Sequence, residues 1–348
     1  MQNCGIGPGF SRLVVLATGV LLVGCTSSAG HSAGTSAGAP TQPTSGSSSS
    51  SAPALPTFPM ADLARKHRIA NIHVGGTPDW QVVAAGSLWV ADDQSGKVIR
   101  VSAATNHVVA AVAVQEPCDG MATQAGAIWV PDCGTGHVLR ISPTTNKVVA
   151  KVQVPAPEYL ADSEGYIAAG AGHVWFVTAQ GSLEGIDPAA NRVEVKIPVT
   201  RGSVAVAFGS GFLWVSNPSD GTVLKVDPAR RRVVGHAKAG TSPRFIAAGE
   251  DAVWVLDQDS GDVERIDPRS LAVTAIHANS AGGGGCIATG FGAVWVTIPG
   301  APVTRIDSVT GRVTAQFTGA GGDCISTGAG SVWLANNQLS SVWRIKSF

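Results

Sequence analysis

Seven tryptophans recur at one position of a repeat about forty residues long, and that period constrains the chain more than any other feature. They stand in Gly-Ser-Leu-Trp89-Val, Gly-Ala-Ile-Trp129-Val, Gly-His-Val-Trp175-Phe, Gly-Phe-Leu-Trp214-Val, Asp-Ala-Val-Trp254-Val, Gly-Ala-Val-Trp295-Val and Gly-Ser-Val-Trp333-Leu. The spacings are 40, 46, 39, 40, 41 and 38 residues, and these seven are drawn from nine tryptophans in all. Each unit reads as four strands. A small-residue strand leads through a Gly-rich turn into the Trp strand. A polar loop with Gly follows, such as Asp93-Gln94-Ser95-Gly96. The third strand carries a basic residue in six of the seven units: Arg100, Arg140, Lys225, Arg265, Arg305 and Arg344. A turn, Asp-Pro at Asp187, Asp227 and Asp267, leads to a β-branched fourth strand.

Apolar residues flank each Trp on both sides, so both faces of that strand are expected to be buried, as a blade packed between two others requires. The predicted fold is therefore all-β, a seven-bladed propeller over residues 65–348. The last unit stops after its third strand, and residues 68–74 match the fourth strand at 148–154 position by position. The N-terminal strand is expected to complete the last blade and close the ring.

A Trp strand followed by Gly-x-Val-x-Arg-Ile-Asp-Pro resembles propellers of the NHL/YVTN type, nearest the streptogramin (virginiamycin B) lyase-like family. The resemblance covers about residues 66–348 and is specific for fold, since such propellers serve as lyases, hydrolases and binding platforms. It implies histidine acid/base chemistry beside a Mg²⁺ held by glutamates at the mouth of the central channel. That mouth is expected from the residues 9 to 12 before each Trp, which include Asp79, Trp80, Asp119, Glu164, Tyr166, Arg244, Phe245 and Asp323. No histidine falls there and no Glu-x-His occurs in the chain, so no catalytic role of the family transfers to a residue here. Charge and aromatics converging on one concavity suit a ligand site; a hydrated rim with satisfied aspartates is the other reading.

Residues 1–24 read as a lipoprotein signal peptide. A short n-region ends at Arg12, and the apolar run at 13–23 is too short to span a bilayer. Leu22-Val23-Gly24-Cys25 resembles the bacterial lipobox, which implies diacylglyceryl attachment at Cys25 and an extracytoplasmic location at the outer face of the cell membrane. Residues 25–64 are nearly all Ser, Thr, Ala, Gly and Pro until Leu55 and Phe58, and a chain with nothing large to bury reads as a disordered tether. An exported protein with an even number of remaining thiols favours disulfides. Repeat position pairs Cys118 with Cys133 across a hairpin, and Cys286 with Cys324 at matching places in adjacent blades.

With 24 Lys+Arg against 24 Asp+Glu there is no basic excess for nucleic acid. The expected function is a non-catalytic, membrane-tethered monomer that binds a small molecule or an envelope protein, without a cofactor. A Mg²⁺-dependent lyase or hydrolase with diverged residues is the alternative.

Overall fold

The computed structural model describes residues 60–154, 167–278, 285–298, 301–319 and 322–348. They form seven antiparallel blades in a ring, a β-propeller. Blade 1 runs Pro78–Ala84, Ser87–Asp92, Lys97–Ser102 and Val108–Ala113, from the innermost strand to the outermost. Blades 2, 3 and 4 repeat that order, with innermost strands Ala122–Gln124, Ala168–Gly170 and Ala205–Gly209. Blades 5, 6 and 7 start at Pro243–Gly249, Cys286–Gly290 and Ile325–Gly328. Every innermost strand packs on the next, and the seventh packs on the first.

The ring closes as the sequence predicts. Arg68–His73 pairs antiparallel with Ser341–Lys346, so the N-terminal segment supplies the outermost strand of blade 7. Blade 6 goes beyond the four-stranded expectation. A two-residue strand, Ala61–Asp62, adds to it in parallel through Ala61↔Phe317, and a short helix at Leu63–Lys66 then leads the chain across to blade 7.

The tryptophans supply the core between blades. All seven indoles are buried, and the Trp strands Ser87–Asp92, Ala127–Asp132, Ala252–Asp257 and Ser331–Asn336 are buried along their whole length. Burial leaves each indole N–H in need of an acceptor. Each donates to the carbonyl five residues earlier, at 2.8 to 3.3 Å, where the first strand ends. The basic residue of the third strand lies over the Trp of its own blade, 4.9 to 5.7 Å from the ring centroid. Blade 3 has Gly185 at this position because Trp175 occupies the space; a Cβ there would come within 2.8 Å of the indole.

Four of these cations also reach the next blade. Arg100 Nη1 donates to the Pro143 carbonyl at 2.6 Å and to Asn146 Oδ1 at 2.8 Å. Arg140 makes the same pair of bonds to Pro188 and Asn191, and Arg344 to Ala103 and Asn106. Lys225 Nζ donates to the Pro268 carbonyl at 2.7 Å. These latches tie the third-to-fourth-strand turn of one blade to the body of the blade before it.

Candidate functional site

The innermost strands begin at the same end of the ring, and that end forms the mouth. Asp79 and Arg244 lie one residue into the first strands of blades 1 and 5. Asp119 follows the bridge Pro117↔Asp132 in blade 2, with its backbone in the left-handed region at φ 57°. Asp323 immediately precedes the cysteine of blade 7; its N–H donates to the Ala335 carbonyl and its Oδ2 accepts from Asn337 Nδ2. Asp79, Arg244 and Asp323 are half-buried, whereas Asp119 is 2 % exposed. Ser216 Oγ, from the neighbouring blade 4, donates to the Arg244 carbonyl at 2.7 Å and fixes the backbone there.

One residue deeper, Trp80 and Phe245 meet across the ring. They belong to blades 1 and 5, yet their centroids are 6.3 Å apart, and only 5 % and 1 % of them is exposed. Met121, Cys286, Cys324 and Ile325 belong to the same apolar cluster. The two aromatics fill the ring at this level instead of lining it, so the charged residues in front of them stand over an apolar floor. The Arg244 guanidinium lies 5.9 Å from the Phe245 ring, which ties the charged layer to that floor. Glu164 and Tyr166 lie outside the described residues, as does Cys25.

A row of buried polar residues frames the same end and was missed by sequence reasoning. Three residues after the Trp stand Asp92, Asp132, Asn217, Asp257 and Asn336, all at most 3 % exposed. In blades 1, 2, 4 and 5 the side chain accepts backbone N–H groups from the adjoining loops. Asp92 takes Thr77 and Ser95, Asp132 takes Glu116, and Asn217 takes Ser219 and Asp220. Asp257 accepts from Ser242, Asp259 and Ser260 at 2.9 to 3.1 Å. Burial alone would raise its pKa; these backbone donors outweigh that and lower it. The signal was present in the repeated Trp-x-x-Asp/Asn, but a polar residue at a strand end reads as the start of a loop.

Two disulfides staple the mouth. Cys118 pairs with Cys133 at a Cα–Cα distance of 5.9 Å, within blade 2. Cys286 pairs with Cys324 at 4.9 Å and joins the innermost strand of blade 6 to the segment leading into that of blade 7.

No protein-family model matches the sequence, and no curated protein matches it. Solved structures do. A streptogramin B lyase superposes with a TM-score of 0.70 at 15 % identity, covering 82 % of this chain and 99 % of that one. A catalytically inactive virginiamycin B lyase from Staphylococcus aureus, solved with quinupristin, gives 0.69 at 14 %, covering 81 % and 100 %. Hydrazine synthase from Kuenenia stuttgartiensis gives 0.67 at 14 %, covering 78 % and 96 %. The propeller fold is shared. At such identities the likeness extends to the fold alone, and the lyases and the synthase differ in chemistry.

The Mg²⁺ implied by the resemblance can be tested against the residues at the mouth. The seven innermost strands carry no histidine and no glutamate; their charged residues are Asp79 and Arg244. Among the described residues no three His, Cys, Asp or Glu side chains gather as a donor set. The described histidines lie outside the innermost strands: His137 stands opposite Asp132 in the register of blade 2, His67 stacks on Phe348, His173 lies beside Glu194, and His277 bonds Asp262. These residues do not fit the implied metal, and no catalytic step is derived through it.

Proposed function

We propose that this protein is an extracytoplasmic lipoprotein, held at the outer face of the cell membrane through Cys25, whose propeller binds a ligand or envelope partner at the mouth without turning it over. The observation that carries this reading is the layering of the mouth. Arg244, Asp79 and Asp323 keep partial exposure over a floor sealed by Trp80 and Phe245, so polar groups face outward and depth is denied. Arg244 offers a planar fork for a carboxylate or phosphate, and the aspartates offer acceptors for ligand hydroxyl or amine groups. A general base of the family type would have to be an imidazole within hydrogen-bond reach of substrate, and no innermost strand supplies one. The Ser/Thr/Ala/Gly/Pro-rich tether gives the domain reach from the bilayer. Its expected boundary at 64 is too late, since Ala61–Asp62 pairs with blade 6 and Leu63 is buried. Two acyl chains on Cys25 supply the stable anchoring that one alone does not.

The test compares capture of envelope-extract components by wild type, Arg244→Ala and Asp323→Asn. Loss of the same component from both variants supports the site; equal capture by all three places binding elsewhere. Linearisation of a streptogramin by the purified protein with added Mg²⁺ would establish the lyase alternative.

A further inference from the structure

Two of the six third-strand cations are not latched to the next blade: Arg305 donates instead to Thr314 of its own blade at 2.7 Å, which leaves Arg265 and its seam. Where a third-strand arginine is answered by an asparagine at the left-handed position of the next blade's turn, the seam is closed. Asn106, Asn146 and Asn191 do this at φ 51° to 59°. Between blades 5 and 6 the arginine is present as Arg265, but the turn residue is Gly311, at φ 67°. Among the described residues Arg265 makes no hydrogen bond to that turn, and its Nε is buried without a partner. The outer strand differs as well. In the other six blades it is bulged where it passes the third strand, whereas in blade 5 the register runs unbroken through Val273↔Ile266 and Thr274↔Arg265. A cavity of about 640 Å³ fills the place of the missing latch.

We propose that this seam is a binding site for a small amphiphilic anion, a carboxylate or phosphate on a compact apolar body. Arg265 and Arg312 supply positive charge, and Thr274 and His277 supply polar contacts. Ile276 and Val313 supply an apolar wall, and the volume suits a ligand of ordinary small-molecule size. The nearby carboxylates are engaged. Asp262 bonds His277 at 3.1 Å, Asp267 accepts from the Arg269 and Ser270 N–H groups, and Asp307 accepts from that of Thr310. Asp267 interacts with Arg265 through its charge, yet among the described residues the two form no ion pair, so the guanidinium keeps its donors for an incoming anion. This site is separate from the mouth, and its fate does not depend on Arg244.

The test is calorimetric titration of the full chain carrying Cys25→Ser, with phenyl phosphate and benzoate as probes and benzyl alcohol as the uncharged control. Saturable one-site binding of at least one anion, tenfold or more tighter than the alcohol, is expected. Arg265→Gln should weaken it at least tenfold. Gly311→Asn rebuilds the latch, since a Cβ there meets Ile276 at an ordinary 3.4 Å, and should abolish binding without lowering the melting temperature. If Gly311→Asn fails to fold, Arg265→Gln decides alone. Failure of both anions to saturate the protein, alcohol binding as tight as theirs, or unchanged affinity in Arg265→Gln would overturn the proposal.

Discussion

Glu264 is the residue most at odds with its surroundings. It stands on the third strand of blade 5, 3 % exposed, at a register where blades 1, 2 and 4 place Ile99, Leu139 and Leu224. Its Oε2 has no hydrogen-bond partner. Burial, then the charges of Asp257 and Asp262, push its pKa from 4.5 up to about 8. The folded protein therefore holds a proton that the unfolded chain releases above pH 4.5. Stability should fall as pH rises from 4.5 to 8, with a full loss of about 5 kcal/mol above that window. The turn aspartates act in the opposite direction. Backbone N–H bonds lower the pKa of Asp227, Asp267 and Asp307, so the stability they add is kept above about pH 4 and lost as pH falls further. Urea midpoints measured from pH 5 to 8 should decline in wild type and flatten in Glu264→Gln; parallel declines in the two would refute this assignment.

At the scale of strands, edges and staples share the work. Among the described residues, every blade except the sixth, whose outer strand takes Ala61–Asp62, ends in an outer strand with an unpaired edge. Six of the seven carry a bulge, and Ile69, Val109, Val149 and Val234 at the bulges are 40 to 55 % exposed. A bulge twists the edge away from regular pairing, which lets these apolar residues face water without recruiting another strand. The disulfides act at the inner end. Closing loops of 15 and 38 residues stabilises by roughly 3 and 4 kcal/mol in the chain-entropy model. Reduction should lower the melting temperature, and Cys286→Ser with Cys324→Ser should account for at least half of the change. Identical melts with and without reductant would exclude this role. The cysteine positions were legible in the sequence because repeat register converts position along the chain into position in the ring. The seven tryptophans were legible for the same reason. The latch was half legible: a basic residue recurs in the third strand, but its partner lies 43 residues on for Arg100, in another blade's turn. The contact of Trp80 with Phe245 was not legible, since the sequence places both at the mouth without saying that they meet across the axis.

The whole molecule depends on joining its two ends. Blade 7 takes three strands from the C-terminus and one from the N-terminal side, and the Arg344 latch carries that closure on to blade 1. Deleting residues 60–74 should leave Ser341–Lys346 as an unprotected edge, producing early, poorly cooperative unfolding and self-association. Adding the 60–74 segment as a peptide should restore a single transition. A deletion variant that melts as sharply as wild type would show that closure contributes little. The same closure holds the mouth, because Asp79 and Asp323 sit in the adjacent blades 1 and 7 that the N-terminal strand helps to join. The central claim, that ligand is held at the mouth and not converted, is tested most directly by hydrogen exchange of the purified protein. The measurement compares it free and loaded with the component it retains from envelope extract. The account predicts slowed exchange confined to residues 77–81, 117–121, 243–246 and 322–325, with the component recovered chemically unchanged. Slowed exchange elsewhere with these segments unaffected, or recovery of a cleaved product, would contradict it.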